Sequence, residues 1–131
     1  MQNALVGKRI LITQSTEFMG PVLCEVFAEQ GATVVADPEP LVEPETAAGV
    51  ELAPHNVQVN AIAQNFVDNP TYFPAEVQAN PRFQDRLARE VPLGRLVAAR
   101  EDAAFAAYLC SNAANCFVGQ VFPVCGGWVA R

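Results

Sequence analysis

The first 37 residues combine two strand-like runs with one helical run, and this pattern constrains the fold more than any other feature. Residues 8–13 (KRILIT) form a short apolar, β-branched run typical of a buried strand. Residues 18–30 place apolar side chains on one helix face, and Gly31 follows as the expected stop. Residues 32–37 (ATVVAD) then give a second strand. The order strand, helix, strand predicts a βαβ unit with a right-handed parallel crossover over residues 1–37.

A stretch rich in proline and glutamate separates this unit from the rest of the chain. PEPLVEPE, residues 38–45, carries three prolines and three glutamates, so we expect a linker over residues 38–44. Residues 45–131 form the second part, and the whole chain of 131 residues suits a single domain. Its predicted elements are a short helix 45–53, an alternating strand 57–63, helices 74–79, 81–91 and 100–110, and a last strand 119–127.

Composition and charge exclude several classes of function. A net charge of −6 with eight basic residues argues against nucleic-acid binding. The sequence has no apolar run long enough to span a bilayer and no signal-like start, so we expect a cytoplasmic protein. With the single His55, the cysteines fit no zinc spacing, so we expect no metal site and four buried free thiols. These are Cys24, Cys110, Cys116 and Cys125.

The turn between the first strand and the first helix is where a dinucleotide-binding protein carries its glycine-rich loop. Here residues 11–20 read LITQSTEFMG, with Phe18 two residues before the only glycine, Gly20. A phenyl ring in this turn fills the volume through which a pyrophosphate would approach the backbone. Loop amides beside an apolar ring can still hold a desolvated monatomic anion. We therefore expect room for a small anion only.

The second half resembles the C-terminal part of the short-chain dehydrogenase/reductase superfamily. NVQVNAIA (56–63) is similar to its sixth-strand pattern, VPLGRL (91–96) to its P-L-G-R segment, and GQVFPVCGGW (119–128) to its closing strand. Together with the βαβ unit, this resemblance covers nearly all of the chain. It implies an α/β, Rossmann-like parallel sheet with helices on both faces, here shortened.

Within that superfamily the turn is similar to that of the halohydrin dehalogenases. Thr13, Phe18 and Gly20 match their T-x-x-x-x-[F/Y]-x-G pattern, which replaces the dehydrogenase pattern T-G-x-x-x-G-x-G. The resemblance implies cofactor-independent conversion of vicinal haloalcohols to epoxides, with release of halide. It also implies a homo-oligomer, a dimer or tetramer. The implied halide and substrate pocket comprises Thr13, Phe18, Gly20, Gln64, Asn65, Phe66 and Tyr72, with loop amides and an aromatic ring against the halide.

The catalytic residues of this superfamily have no match in the chain. Its tyrosine is followed four residues later by lysine or arginine, whereas Glu76 follows Tyr72 and Asn112 follows Tyr108. A cation at that spacing favours phenolate, the general base of the reaction. The resemblance stops near Asp37 and resumes near Glu51, so the third to fifth strands and the catalytic Ser, Tyr and Arg are absent. We assign no catalytic residue and expect no turnover by this chain alone.

Several alternatives remain open. The first and third strands could close up into one sheet of order 2-1-3-4, or both edges could stay exposed and favour dimerisation. The chain could instead be an NAD(P)-dependent short-chain oxidoreductase with a divergent turn, or a non-catalytic oligomerising module. Asp37 is expected to cap the strand end rather than bind a ribose, and Asn60 to bond neighbouring backbone.

Overall fold

The structure, a computed structural model, describes residues 3–39 and 48–130. Most of the predicted linker, residues 40–44, therefore lies outside the described residues. No helix in the described ranges is long and apolar enough to cross a membrane. The strands are β1 Arg9–Ile12, β2 Thr33–Ala36, β3 Ala61–Gln64 and β4 Val121–Val124. The helices are α1 Gly20–Glu29, α2 Ala48–Leu52, α3 Ala75–Gln78, α4 Pro81–Glu90 and α5 Ala99–Leu109, with three short 3-10 turns between or after them.

The strands pair in parallel, which confirms the α/β class. β1 pairs with β2 so that Ile10 lies opposite Val34, and β3 pairs with β4 so that Ile62 lies opposite Phe122. Within the described residues these remain two separate two-stranded sheets. The continuous order 2-1-3-4 is therefore not formed. The β2–β1 and β3–β4 pairings are present, and the β1–β3 pairing is missing.

The first core lies between the β1–β2 sheet and two helices. α1 and α5 pack on each other, and the small side chains of Ala103 and Ala107 allow their close approach. The buried residues of this core are Leu5, Ile12, Val26, Phe27, Ala103 and Ala107. The opposite face of the sheet exposes Leu11 (57%) and Val35 (45%). In the described part of the chain, that face is open to solvent, and the expected second layer of helices does not cover it.

A second cluster packs the start of α1 against the second half of the chain. Met19, next to the start of α1, is buried against Val67 and Val97 from the second half of the chain. Together with the packing of α1 on α5, this contact fixes the spacing of the two strand pairs through side chains rather than through a shared hydrogen-bonded edge. Moving β1 against β3 would require this packed cluster to be displaced.

Two local predictions have clear outcomes in the structure. The strand predicted from residue 57 begins only at Ala61, because Asn60 uses its side chain to donate to Phe117 O (3.1 Å) and accept from Gln120 N (3.0 Å). Its expected backbone role is thus confirmed. The prediction of four buried thiols is wrong in part, since Cys110 and Cys116 are exposed.

No cluster of His, Cys, Asp and Glu suited to a metal ion occurs among the residues described.

Candidate functional site

The turn after β1 is held in a backbone conformation that bulky residues rarely adopt. Gln14 has φ 49° and Phe18 has φ 48°, both in the left-handed region. Gly20 closes the turn, because a Cβ there would lie 2.1 Å from Gln14 O. The helix predicted from residue 18 accordingly begins at Gly20. A left-handed phenylalanine persists only where its surroundings enforce it, and such residues concentrate at ligand sites.

The amides of this turn are already bonded within the chain. Gln14 N donates to Glu39 O (3.2 Å), and Ser15 N donates to Asp37 O (3.0 Å). The segment after β2 thus folds against the turn and takes two of its backbone donors. Asp37 Oδ1 accepts from Glu39 N (3.0 Å), which confirms its expected capping role.

The loop after β3 forms the opposite wall of the site. Phe66 is 2% exposed and also has a left-handed backbone, with φ 54°. Its amide donates to Asn65 Oδ1 (3.0 Å), and Asn65 N donates to Val124 O (3.0 Å). These two amides, expected to face a halide, are therefore engaged. Asn65 accepts through Oδ1, and its Nδ2 has no hydrogen-bond partner among the residues that the structure describes.

Asn69 sets the shape of the same loop, and the sequence reading missed it. Its buried Oδ1 accepts from Thr71 N (3.1 Å) and Tyr72 N (2.8 Å), while Nδ2 donates to Val67 O (2.7 Å). This Asx turn brings the Tyr72 ring edge-on to Phe18, with 5.8 Å between ring centroids. The Asn69–Pro70 dipeptide was the available signal, since this pair favours turn initiation.

A cavity of about 490 Å³ opens between these two loops. It is lined by Phe18, Gln64, Asn65, Phe66, Val67, Asn69, Tyr72 and Phe73. The structure thus brings together five of the seven residues named from sequence, while Thr13 and Gly20 are not among the lining residues. Its volume lies in the range of small-molecule sites and far exceeds a single ion, so the expectation of room for an anion only was too narrow.

A buried carboxyl group lies behind the cavity, and no sequence signal pointed to it. Gln64 Nε2 donates to Oδ2 of Asp102 on α5, and Asp102 is only 1% exposed. Its Oδ1 is buried and has no hydrogen-bond partner in the part of the chain that the structure describes. Burial raises the pKa of Asp102, against the hydrogen bond from Gln64, which lowers it. In the sequence, this residue reads as an ordinary acidic group in the first turn of a helix.

Aromatic contacts stiffen the Phe66 side of the cavity. Phe66 stacks on Phe73 with centroids 6.0 Å apart and meets Trp128 at 6.2 Å. The Arg86 guanidinium lies over the Phe66 ring, 5.4 Å from its centroid, and forms an ion pair with Glu90 (3.0 Å). A positive charge thus stands near this wall, although a carboxylate already neutralises it.

Tyr72 lies at the cavity, whereas Tyr108 and Ser111 lie together elsewhere, at the end of α5. Tyr72 is 66% exposed at the cavity, and no ion pair or hydrogen bond among the described residues joins its hydroxyl to a cation. Tyr108 packs against Phe105 and Phe117. Ser111 Oγ donates to Tyr108 O (2.7 Å). The described residues therefore do not assemble a Ser–Tyr–cation set at the cavity.

The family follows from a match over the second part of the chain. The model described as "Enoyl-(Acyl carrier protein) reductase" matches residues 44–129, about two thirds of the chain. The chain belongs to the short-chain dehydrogenase/reductase family. The match takes in the loop after β3, α5 and β4, and thus most of the cavity wall.

Several curated relatives of this chain are named as oxidoreductases or reductases. "Uncharacterized oxidoreductase YmfI" of Bacillus subtilis (strain 168) is 38% identical over 60% of this chain and 31% of its own. "3-oxoacyl-[acyl-carrier-protein] reductase FabG" of Aquifex aeolicus (strain VF5) is 34% identical over 59% of this chain and 29% of its own. The chain thus spans about a third of the length of these relatives.

A solved structure titled "Dehalogenation enzyme" has the same shortened fold. It superposes with a TM-score of 0.86 over 95% of this chain and 99% of its own, at 21% sequence identity. At that identity the likeness concerns the fold alone. A longer solved reductase, titled YwfH and described as NADPH dependent, matches with a TM-score of 0.55 over 63% of this chain and 34% of its own.

Proposed function

We propose that this chain is a dehalogenase-like member of its family, whose cavity binds a halide ion and a small haloalcohol or epoxide without a nicotinamide cofactor. The observation that carries the proposal is the blocked turn. Two of its amides bond to Asp37 O and Glu39 O, and the Phe18 ring walls the cavity beside them. A dinucleotide would have to displace both features before its pyrophosphate reached the helix start.

The cavity offers groups of the kind a halogenated alcohol needs. Asn65 Nδ2, which bonds to no other residue in the described ranges, is an amide donor at the lining and suits a halide or a carbon-bound halogen. The edges of the Phe18 and Tyr72 rings carry partial positive charge, which favours an anion beside them. The remaining lining is mainly apolar, so it suits a small compound with few polar atoms.

The proposed reaction needs a base that the described residues do not supply. The base removes the hydroxyl proton, and the resulting alkoxide oxygen bonds to the neighbouring carbon. The carbon–halogen bond breaks at the same time, and its electron pair leaves with the halide. Tyr72 lies at the cavity, and no lysine or arginine of the described residues bonds to its hydroxyl. We therefore propose that the chain binds these compounds but does not turn them over alone.

We also propose that the protein forms a homo-oligomer, a dimer or tetramer. Leu11 and Val35 project from the uncovered face of the β1–β2 sheet, and within the described residues β1 and β3 each have one edge without a partner strand. Exposed strand edges and apolar faces are features that association can cover.

Fluorescence of the single tryptophan can test binding at the cavity. Trp128 touches Phe66, so a ligand against that ring should change its emission. We expect saturable changes with chloroethanol and no change with NADPH. A Phe18→Gly variant, which removes one cavity wall, should weaken the response to chloroethanol. Saturable NADPH binding with no response to chloroethanol would refute the proposal.

The second candidate is an NAD(P)-dependent short-chain oxidoreductase. It is favoured by the identity of 34–38% to relatives named as oxidoreductases or reductases. This candidate predicts that NADPH quenches Trp128 or gains fluorescence on binding. The same titration therefore separates the two functions.

A further inference from the structure

We infer that Asp102 is a positioning residue that turns the Gln64 amide so that the cavity presents a hydrogen-bond acceptor and selects ligands with a hydroxyl group. The inference rests on the proposed function, because it takes the cavity to be a ligand site. It goes further by naming the group on the ligand that is recognised.

The orientation of Gln64 follows from its bond to Asp102. A carboxylate only accepts hydrogen bonds, so the group that faces Asp102 Oδ2 is the Nε2 donor. The Oε1 of the same planar amide must then point away from Asp102. It has no hydrogen-bond partner among the described residues, and it is not sealed from solvent as Asp102 Oδ1 is. Gln64 lines this cavity and a second one beside Trp128, and the inference takes Oε1 to be an acceptor available to a ligand in the first.

Asp102 is placed to orient Gln64 and does not itself contact a ligand in the cavity. It is 1% exposed, lies on α5 behind β3 and is not among the residues that line the cavity. Without its acceptor, the Gln64 amide could rotate by half a turn and present Nε2 to the cavity instead. The pair therefore fixes the polarity of one wall, while Asn65 Nδ2 supplies a donor on the neighbouring residue.

Gln64 Oε1 and Asn65 Nδ2 together suit a ligand that carries a hydrogen-bond donor and a halogen. A hydroxyl would donate to Gln64 Oε1, and a halogen on the adjacent carbon would lie near Asn65 Nδ2 and Phe18. A ligand of the same shape with a methyl group in place of the hydroxyl would leave Gln64 Oε1 desolvated and unpaired, which weakens binding.

The test compares chloroethanol with 1-chloro-2-methoxyethane, whose ether oxygen can accept a hydrogen bond from an amide group but cannot donate one to Gln64 Oε1. The affinity ratio of the two compounds is measured through Trp128 in the wild type, Asp102→Leu and Asp102→Asn. The ratio should fall by about threefold to tenfold in Asp102→Leu, the range for one hydrogen bond. It should fall less in Asp102→Asn, which keeps an acceptor oxygen. The double variant Gln64→Leu/Asp102→Leu, with neither polar group, should show the same loss as Asp102→Leu.

A measurement without ligand gives an independent readout. The side-chain amide protons of Gln64 should move toward the chemical shifts of a free glutamine in Asp102→Leu. Binding of chloroethanol with an unchanged ratio in Asp102→Leu would overturn the inference and leave the proposed function standing. No binding of either compound to the wild type would overturn the proposed function and the hydroxyl selection with it. Unmoved Gln64 protons would overturn the positioning role alone.

Discussion

Replacing Asp102 by asparagine should stabilise the protein at neutral and alkaline pH. Asp102 is 1% exposed, and its Oδ1 has no hydrogen-bond partner among the described residues. Leaving a buried polar group unsatisfied costs about 1–3 kcal/mol. Asparagine keeps the volume and one acceptor oxygen for Gln64, and it places an uncharged amide group where the unpaired charged oxygen was. The buried group stays unpaired but loses its charge, so we expect the free energy of unfolding to rise by about 1 kcal/mol at pH 8, or roughly 4 °C in Tm for a chain of this length.

The sign of the pH dependence follows from the raised pKa of Asp102. Below the ordinary pKa of 3.8, the carboxyl is neutral in both the folded and unfolded states, and its ionisation costs the fold nothing. As the pH rises above 3.8, the unfolded chain loses this proton before the folded one, so folding stability falls. The advantage of Asp102→Asn should therefore be small at pH 3, grow with pH, and level off above the folded-state pKa.

Urea unfolding followed by Trp128 fluorescence measures this difference at each pH. Asp85→Asn is the matched control, because Asp85 is exposed on α4 and should change stability by no more than about 0.5 kcal/mol. An Asp102→Asn variant that is less stable than the wild type at pH 8 would refute the reasoning. An advantage of the same size at pH 3 and pH 8 would also refute it.

Four further predictions concern the turn, the loop and one ion pair. Gly20→Ala should not reach the folded state in a stable form, since its Cβ would lie 2.1 Å from Gln14 O; circular dichroism on heating would detect this. Phe18→Gly should be more stable to urea than Phe18→Ala by about 1 kcal/mol, because only glycine accepts the φ of 48° without strain. Asn69→Ala should lower the free energy of unfolding by about 2 kcal/mol or more, through three lost hydrogen bonds in a buried loop; an unchanged urea midpoint would contradict this. The hydrogen bonds from Arg95 and from Ala98 N lower the pKa of Glu101 to about 2, so Glu101→Gln should be less stable than wild type at pH 7, and this deficit should disappear as the pH falls from 4.5 through about 2.

Local periodicity was enough to predict the βαβ unit of residues 1–37. The apolar run before the turn, the helix face up to Gly31 and the second strand all occur close to their predicted bounds, and β1 and β2 pair in parallel. The start of α4 depends on a local cap as well, because Asn80 Oδ1 accepts from Arg82 N (2.9 Å). These features depend on neighbours in sequence, which is where pattern arguments are strongest.

Features that depend on contacts between residues far apart in the sequence could not be predicted from local patterns. The split between the two sheets depends on Met19 packing on Val67 and Val97, which come from segments far apart in sequence. The occupied amides of the turn depend on where the segment after β2 folds back. The Gln64–Asp102 bond joins residues separated by 38 positions. No local pattern encodes such pairings.

The candidate site shows the same division. Phe18, Gln64, Asn65, Phe66 and Tyr72 came from the resemblance, and the structure places them around one cavity. Thr13 and Gly20 belong to the motif but do not line the cavity. Gly20 is needed at the helix start, where any side chain would collide with Gln14 O. A motif position can thus serve the shape of a turn without touching a ligand.

The most direct test of the central claim is an amide chemical-shift map of the labelled protein with chloroethanol and, separately, with NADPH. We predict that chloroethanol shifts the resonances of Phe18, Asn65 and Tyr72, and that NADPH leaves Gln14 and Ser15 unchanged because their amides stay bonded to the segment after β2. Saturable NADPH shifts at Gln14 and Ser15, with none from chloroethanol, would contradict the account.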